Sequence, residues 1–415
     1  MNTERVRRQL PRVEQFRGLI GTPSREGSRN ERRLARARTV SDLRSLARRR
    51  TPRAVFDYVD GAADHELSLW RARRTFRDLE LRNRVLRDVG DVDPSTTILG
   101  RPSALPISLA PTGFTRMMHH EGERAVAPAA AAAGIPYALS TMGTTSVEQL
   151  ASLEPAGRKW FQLYLWRDRE ASRELIARAR AAGYEALVLT VDTPVSGTRL
   201  RDVRNGLTIP PALTLRTIGN AALFPSWWFN LLTTEPLEFA SFSAWDGTAA
   251  ELADVMFDPR MTFEDLAWLR EQWDGPLLVK GVMLVEDAEA VVDRGADGIV
   301  ISNHGGRQLD RSPTPLEQLP AIVTAVGDRA EIHLDGGVLT GADVLASVAL
   351  GARSVSVGRA YLYGLMAGGE AGVARAIEIL GEELTRTMRL VGVTSIADLG
   401  PEHVRLRNNP RGPGG

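Results

Sequence analysis

Residues 298–310 read Gly-Ile-Val-Ile-Ser-Asn-His-Gly-Gly-Arg-Gln-Leu-Asp. The β-branched run at 299–301 is typical of a buried strand, and it is followed by a base (His304), two glycines and a guanidinium (Arg307). Imidazole titrates near neutral pH and suits proton transfer, whereas a guanidinium can bind a carboxylate through two parallel hydrogen bonds. The stretch therefore predicts a strand that carries catalytic groups into a pocket for a small organic acid.

Seven further short apolar runs resemble this strand, and helical patterns lie between most of the eight. The predicted strands are 105–110, 137–140, 160–164, 186–191, 277–280, 298–302, 331–335 and 354–357. The predicted helices are 121–133, 170–182, 263–273, 285–293, 315–326, 340–350 and 371–387. Eight short strands that alternate with helices predict an α/β fold of the closed (β/α)₈ TIM-barrel type.

Other segments flank or interrupt this alternation. We expect a basic, flexible N-terminal arm over 1–39, a barrel domain over 40–399 that opens with a helical segment, and a C-terminal tail over 400–415. Residues 192–262 form a long insertion after the fourth strand, far beyond the usual loop length. Within it, 221–232 carries tandem tryptophans among Leu and Phe, which suits either a membrane interface or packing on the barrel or a neighbouring subunit.

Composition excludes several classes of protein. The chain has no cysteine, so disulfides, thiolate catalysis and Cys-ligated metals are excluded, and its histidines lack metal-ligand spacing, so no metal is expected. No apolar run is long enough to span a membrane. Residues 1–50 hold fifteen arginines against five acidic residues. Such a segment could contact anionic lipid or nucleic acid, but a solvated extension is the simpler interpretation, and we expect no nucleic-acid partner.

The carboxyl ends of the predicted strands are polar or glycine-rich, although the strands themselves are apolar. These ends are 110–113, 140–141, 162–164, 190–192, 280–281, 302–304, 335–337 and 358–359. In a (β/α)₈ barrel the active site forms at these ends, and the loops after the last two strands commonly bind phosphate. A phosphate-bearing cofactor is therefore expected. Lys280 is one of only two lysines in the chain, which indicates a role that arginine does not fill.

These residues resemble the FMN-dependent enzymes that oxidise L-2-hydroxy acids, a family that includes glycolate oxidase, lactate oxidase, mandelate dehydrogenase and respiratory L-lactate dehydrogenases. The resemblance covers about residues 40 to 399 and is strongest to the quinone-linked L-lactate dehydrogenases, notably actinobacterial ones. It is carried by the family signature at 302–310, by Phe56-Asp57-Tyr58, by 160–164, and by Thr190-Val191-Asp192 with Arg199 seven residues later.

The resemblance implies a role for each matching residue. His304 would be the base and Asp192 its carboxylate partner, Arg307 and Arg199 would bind the substrate carboxylate, and Tyr58 and Tyr164 would hydrogen-bond the substrate. Lys280 would stabilise negative charge on the reduced flavin. The flavin ring would be lined by Pro111, Thr112, Gly113, Ser140, Gln162, Thr190 and Ser302. The ribityl chain and phosphate would be held by Asp335, Gly336, Gly337, Gly358 and Arg359. One departure is Leu339, which stands where many members of the family carry a phosphate-contacting arginine.

The sequence thus predicts an FMN enzyme that oxidises L-lactate to pyruvate and passes electrons to a quinone or another membrane acceptor. Three alternatives stay open: an oxidase that uses O₂, a flavin dehydrogenase of a larger hydroxy acid or modified peptide, and a non-catalytic barrel that acts as a membrane scaffold. We expect a cytoplasmic protein, either free or peripheral on the inner face of the cell membrane. The resemblance implies a homo-oligomer, a tetramer.

Overall fold

Eight parallel strands close into a barrel, as the sequence predicts. The computed structural model describes residues 27–207, 219, 222–237, 239–240 and 257–407. The barrel strands are β4 (Ile107–Leu109), β5 (Tyr137–Ser140), β6 (Lys159–Leu163), β7 (Ala186–Thr190), β8 (Leu277–Val282), β9 (Gly298–Ile301), β10 (Glu331–Asp335) and β11 (Ser354–Val357). They pair in chain order, and β11 closes the circle by pairing with β4. The predicted (β/α)₈ class is therefore confirmed.

Continuous burial explains why these short segments form strands. Every residue of β7 is buried, and in β8 only Gly281 is not fully buried. Strands of a parallel barrel are covered by helices outside and by side chains inside, so an apolar run is stable there where an alternating pattern would not be. Register follows directly, with Leu187 opposite Leu277 and Thr190 opposite Lys280. The carboxyl ends of all eight strands consequently meet at one face.

The helices surround this barrel. Before it lie Arg29–Leu34, Val40–Arg50, Arg53–Asp60 and Leu67–Arg77, and around it lie Thr115–Met118, Glu123–Ala132, Val147–Leu153, Arg169–Ala181, Leu200–Asn205, Pro225–Leu232, Phe263–Gln272, Val285–Asp293, Pro315–Val326, Gly341–Ala349 and Arg359–Val391. The prediction of 371–387 was too short. Arg359–Val391 is two helical segments joined at Gly368 and Gly369, whose backbone is non-helical. Glycine tolerates these angles, so the chain bends there and helix continues on both sides.

The folded body is longer at both ends than the predicted 40–399. Arg29–Leu34 packs on the bend of the C-terminal helix, where the Asn30 side chain donates a 3.0 Å hydrogen bond to the Gly368 carbonyl and Leu34 is buried. At the other end, β12 (Val404–Leu406) pairs antiparallel with β1 (Leu79–Leu81). The basic arm and the tail as predicted therefore both include folded residues, and their remainders, 1–26 and 408–415, lie outside the described residues.

Within the insertion, the helix Pro225–Leu232 lies against the barrel on one side only. Trp227 donates its indole N–H to the Met117 carbonyl at 3.0 Å, whereas Trp228, Phe229 and Leu232 are 37%, 57% and 70% exposed. One tryptophan of this segment thus packs on the barrel, whereas the other apolar side chains face outward, and membrane contact stays a prediction. In the described part of the chain, no helix combines the length and apolar character needed to cross a bilayer.

Two short strands, β2 (Thr96–Ile98) and β3 (Arg101–Ser103), form a hairpin that the sequence did not predict. Arg158 fixes it to the amino end of the barrel by donating to the carbonyls of Ile98 and Pro102 while pairing with Glu185. The polar groups of Arg158 and Glu185 at this end are therefore engaged in structural contacts. The polar residues of the predicted site lie at the opposite, carboxyl end of the strands.

Candidate active site

A cavity of about 280 Å³ opens at the carboxyl ends of the barrel strands. Most of the residues predicted for the site line it: Tyr58, Pro111, Thr112, Gly113, Ser140, Tyr164, Arg199, Lys280, His304, Arg307, Asp335, Gly336, Gly337, Gly358 and Arg359. The other four, Gln162, Thr190, Asp192 and Ser302, do not line it; Asp192 and Ser302 lie one contact behind lining residues. The topology thus brings together residues that are up to 301 positions apart (Tyr58 to Arg359).

Lys280 is a buried ammonium at the centre of this group. Its Nζ lies 2.9 Å from a carboxylate oxygen of Asp335 and donates to the Ser302 hydroxyl at 3.0 Å. That hydroxyl donates to Asp335 at 2.8 Å and accepts the backbone N–H of His304. Burial alone would lower the pKa of Lys280, but the charges of Asp335 and Asp192 outweigh it, and the pKa is raised. Lys280 therefore stays cationic at neutral pH.

His304 pairs with the carboxylate of Asp192. The distance from His304 Nδ1 to Asp192 Oδ1 is 2.9 Å, which leaves Nε2 as the other ring nitrogen for a ligand. Gly281 makes room for this pair, because a Cβ there would lie 2.7 Å from the Cβ of Asp192. The loop that carries the imidazole is closed by Asn303, whose side-chain oxygen accepts the Gly306 N–H. The imidazole is thus held in one orientation by its loop and its partner.

Asp192 remains ionised in spite of its burial. Desolvation would raise its pKa, but the nearby charges of His304 and Lys280 lower the pKa below its ordinary value. Its second oxygen, Oδ2, is buried and has no hydrogen-bond partner among the described residues. A full negative charge therefore stands behind the imidazole, where it stabilises the protonated ring.

The guanidinium groups of Arg307 and Arg199 and the ring of Tyr58 form another part of the cavity wall. The Cζ atoms of Arg307 and Arg199 lie 4.8 Å and 5.4 Å from the ring centroid of Tyr58. Burial, together with the charges of Arg199 and Arg359, lowers the pKa of Arg307 to about 10, so it is still a cation at neutral pH. Burial also raises the pKa of Tyr164 well above its ordinary value, so its phenol is neutral. Such a wall is complementary to a small carboxylate.

Asp192 and Arg199 form no ion pair with each other. Arg199 instead donates to Asp202 at 2.8 Å. The backbone of Asp192 contacts Gln308, whose side-chain amide donates to the carbonyls of Asp192 and Val195. Gln308 therefore ties the start of the insertion to the loop of His304, a role that nothing in the sequence pattern indicated.

Two buried side chains behind the cavity carry unpaired polar atoms. The Gln162 side-chain oxygen accepts from the Ser140 hydroxyl at 2.9 Å, but its Nε2 has no partner among the described residues. The Thr190 hydroxyl is buried and unpaired in the same sense. Buried polar groups are normally hydrogen-bonded, so unpaired groups on adjacent strands of a cavity indicate a polar ligand. Unpaired polar atoms behind the cavity suit a polar ring system, and we conclude that the residues present suit the FMN that the sequence resemblance implies.

The loops after β10 and β11 form the glycine-rich end of the cavity. Gly336 and Gly337 have φ of +114° and +85°, angles that favour glycine, and Gly337 lies against the ring of Phe76. Arg359 begins the helix after Gly358 and donates to the carbonyls of Val59, Gly305 and Gly61. Backbone N–H groups and a helix N-terminus of this kind suit a phosphate. Leu339 also lines this end.

Several lining residues were missed in the sequence. They are Leu69, Arg73, Met118, Met142, Thr193, Ser196, Phe239 and Phe257. Phe257 meets Tyr164 edge to face, with centroids 5.2 Å apart. Phe257 and Phe239 belong to the insertion and Leu69 and Arg73 to an N-terminal helix. The carboxyl ends of the strands could not indicate these four residues, which are distant in sequence from every strand end. Met142 and Thr193, by contrast, lie two and three residues after the ends of β5 and β7 and could have been found by that signal.

Comparison with known proteins gives consistent results. The family model described as FMN-dependent dehydrogenase matches residues 47–406. A Mycobacterium tuberculosis protein named provisionally as an L-lactate dehydrogenase is 57% identical over 399 residues, which is 96% of each chain. The L-lactate dehydrogenase of Caulobacter vibrioides is 46% identical over 382 residues, 90% of this chain and 98% of its own. A crystal structure of the monotopic membrane protein (S)-mandelate dehydrogenase superposes with a TM-score of 0.86 at 35% identity, covering 89% of this chain and all of that one.

The two lysines of the chain offer a direct test of the buried ion pair. Lys280→Met leaves the Asp335 carboxylate buried without its cation, which should lower the free energy of unfolding at pH 8 by about 3–5 kcal/mol. The loss should be smaller at pH 5, because the folded variant then takes up a proton that relieves the charge. Urea denaturation at the two pH values measures both effects.

Lys159→Met is the matched control. Lys159 is also buried, but its Nζ donates only to the carbonyls of Glu154, Pro155 and Gly157. Its loss should therefore cost the same at pH 5 and pH 8. Equal pH dependence of the two variants would contradict the ion-pair interpretation of Lys280.

Proposed function

The chain belongs to the FMN-dependent dehydrogenase family, and from that premise we propose that it oxidises L-lactate to pyruvate. The observation that carries the proposal is the convergence of a His304–Asp192 pair with the guanidinium groups of Arg307 and Arg199 on one cavity. The relatives named as L-lactate dehydrogenases, at 57% and 46% identity, support lactate over the mandelate named for the structural neighbour at 35%.

Substrate binding begins with charge. The carboxylate of L-lactate is held by Arg307 and Arg199, both cationic and both beside Tyr58. Arg307 is kept in place by donating to the carbonyls of Tyr58 and Gly61. Tyr58 and the neutral phenol of Tyr164 supply further hydrogen bonds. With its carboxylate held there, the substrate is oriented for reaction before any bond is broken.

Proton transfer is the task of His304. Oxidation of a 2-hydroxy acid to a 2-keto acid removes two electrons and two protons, and the imidazole takes one of these protons at Nε2. Asp192 lies 2.9 Å from Nδ1 and stabilises the imidazolium that results. FMN, when bound, supplies the acceptor for the two electrons and for the second proton. Because Asp192 is already ionised, its charge needs no rearrangement during the reaction.

The flavin would be held by residues from all sides of the barrel mouth. The ring would be lined by Pro111, Thr112, Gly113 and Ser140, with Gln162, Thr190 and Ser302 behind the lining residues. The ribityl chain and phosphate would be held by Asp335, Gly336, Gly337, Gly358 and Arg359. Lys280 would place its positive charge where negative charge develops on reduction.

For the electron acceptor we propose a quinone held in a membrane. The apolar side chains of Trp228, Phe229 and Leu232 project from the barrel on one short helix, as expected of a segment that rests in the interface. The neighbour described as a monotopic membrane protein supports peripheral contact. The arginine-rich first fifty residues suit an anionic cytoplasmic leaflet, so we place the protein on the inner face. A tetramer, implied by the family resemblance, stays a prediction.

His304→Gln should abolish proton transfer while the flavin stays bound. General bases contribute roughly 10²- to 10⁴-fold, and we expect a fall of that size in kcat with L-lactate. His65→Gln, an exposed histidine outside the cavity, is the control and should behave as the wild type. Steady-state turnover with a soluble dye as acceptor measures the effect. Wild-type turnover in His304→Gln would refute the assignment of His304 as the base.

Replacing Trp228, Phe229 and Leu232 together with serine should release the protein from vesicles that contain anionic lipid. Turnover with a quinone dissolved in those vesicles should fall roughly tenfold or more, since the buried apolar area is lost, while turnover with a water-soluble dye is retained. Leu86→Ser, at a fully exposed leucine elsewhere, is the control. Unchanged vesicle binding would contradict membrane contact. Hydrogen peroxide formed in step with pyruvate in air, without stimulation by quinone, would favour the oxidase.

A further inference from the structure

Arg73 is a cation at the glycine-rich end of the cavity for which neither the fold nor the proposed reaction gives a use. It lines the cavity together with Gly336, Gly337 and Leu339. Its Nη2 is shielded from solvent and has no hydrogen-bond partner among the described residues. Its guanidinium lies over the ring of Trp70, 5.4 Å from the centroid. A buried N–H donor without an acceptor is costly, so this group points to a ligand.

The position of Arg73 is fixed by close packing. Its helix, Leu67–Arg77, is pressed against the site at two glycines. A Cβ at Gly337 would lie 3.1 Å from the Ala72 carbonyl oxygen, and one at Gly306 would lie 2.8 Å from the Leu69 nitrogen. Arg73 comes directly after Ala72, so its side chain starts from a backbone that is in contact with Gly337 in the glycine-rich loop after β10. The Cα of Arg73 therefore cannot move away without the helix moving.

No carboxylate forms an ion pair with Arg73 within the described ranges. The buried carboxylate of Asp60 is already used, since it pairs with Arg44 at 2.6 Å and Arg201 at 3.1 Å and accepts the Tyr363 hydroxyl at 2.7 Å. Asp60 acts on Arg73 only through space, without a direct contact, so the Arg73 guanidinium keeps its donors for the cavity. Arg73 is half-buried, and its shielded Nη2 is the donor that a bound anion would satisfy.

The neighbouring Arg359 is largely occupied by the protein itself. Its Nε, Nη1 and Nη2 donate to the carbonyls of Val59, Gly305 and Gly61 at 2.9, 2.9 and 2.7 Å. It thereby ties the N-terminal helices to the loop of His304. Leu339, at the turn after β10, offers no charge. Of the three side chains at this end, Arg73 is the one with an unused buried donor.

We propose that Arg73 binds the phosphate of FMN and supplies the cation that Leu339 does not. The assignment rests on the proposed function, because it takes FMN to be the ligand of the cavity. A phosphate monoester is a dianion with three acceptor oxygens, and a guanidinium binds it with charge-assisted hydrogen bonds. Arg73 is then a cofactor-specificity residue that selects FMN over a flavin without phosphate.

The test is a competition between FMN and riboflavin, which share the ring and differ in the phosphate. The full-length holoprotein is dialysed against mixtures of the two, and the bound flavins are released and quantified. Arg73→Met should lower the preference for FMN roughly 10- to 100-fold, the range for loss of a charge-assisted hydrogen bond. Because both flavins bind the same fold, a general loss of stability cancels in the ratio. Arg73→Lys, which keeps the charge without the fork, should give an intermediate preference.

Arg71→Met is the matched control, since Arg71 is an exposed arginine on the same helix. Its preference should equal that of the wild type. An unchanged ratio in Arg73→Met, or an equal fall in the Arg71 variant, would overturn the assignment. If Arg73→Met does not fold, Arg73→Lys decides, and a wild-type ratio there overturns it. A wild-type protein that binds neither flavin would instead overturn the proposed function, so the two failures are distinct.

Discussion

The ion pair between Lys280 and Asp335, buried at the mouth of the barrel, is the interaction on which the site depends. An ammonium removed from water is stable only beside an anion and with its donors satisfied, and here Asp335 and the Ser302 hydroxyl meet both needs. Ser302 also accepts the backbone N–H of His304. The pair therefore holds a positive charge on β8 beside a negative charge on β10. Through the Ser302 hydroxyl it also positions the start of the loop that carries His304.

Glycines set how closely the other elements approach this centre. Gly281 lets Asp192 reach the imidazole, and Gly306 and Gly337 let the helix Leu67–Arg77 rest directly on the site. A Cβ would crowd each of these close approaches, and all three glycines have a positive φ, so glycine is a steric requirement of the fold there. Their consequence is chemical: the N-terminal helices form one wall of the cavity and bring Tyr58 and Arg73 to it.

Prediction from sequence succeeded for the barrel strands, because the repeating strand–helix unit restricts where each strand can begin and end. The bounds of β5, β10 and β11 were predicted without error, because these apolar runs of 4, 5 and 4 residues are too short for a buried helix and are bounded by polar or glycine residues. The strand ends then identified Lys280 and His304. By contrast, the pairing of β1 with β12 joins segments more than 320 residues apart, and local pattern carries no information on it. The face that Leu67–Arg77 turns to the cavity, and the placement of Phe257, are likewise set by tertiary packing, which is why Arg73 and Phe257 were missed.

The most direct test of the account is anaerobic mixing of the purified protein with L-lactate while the absorbance of the flavin is followed. We predict a flavin band near ~450 nm in the protein as isolated, its loss within the turnover time on addition of L-lactate, and one pyruvate formed per flavin. A protein that carries no flavin, or a band that persists in saturating L-lactate, would contradict the account.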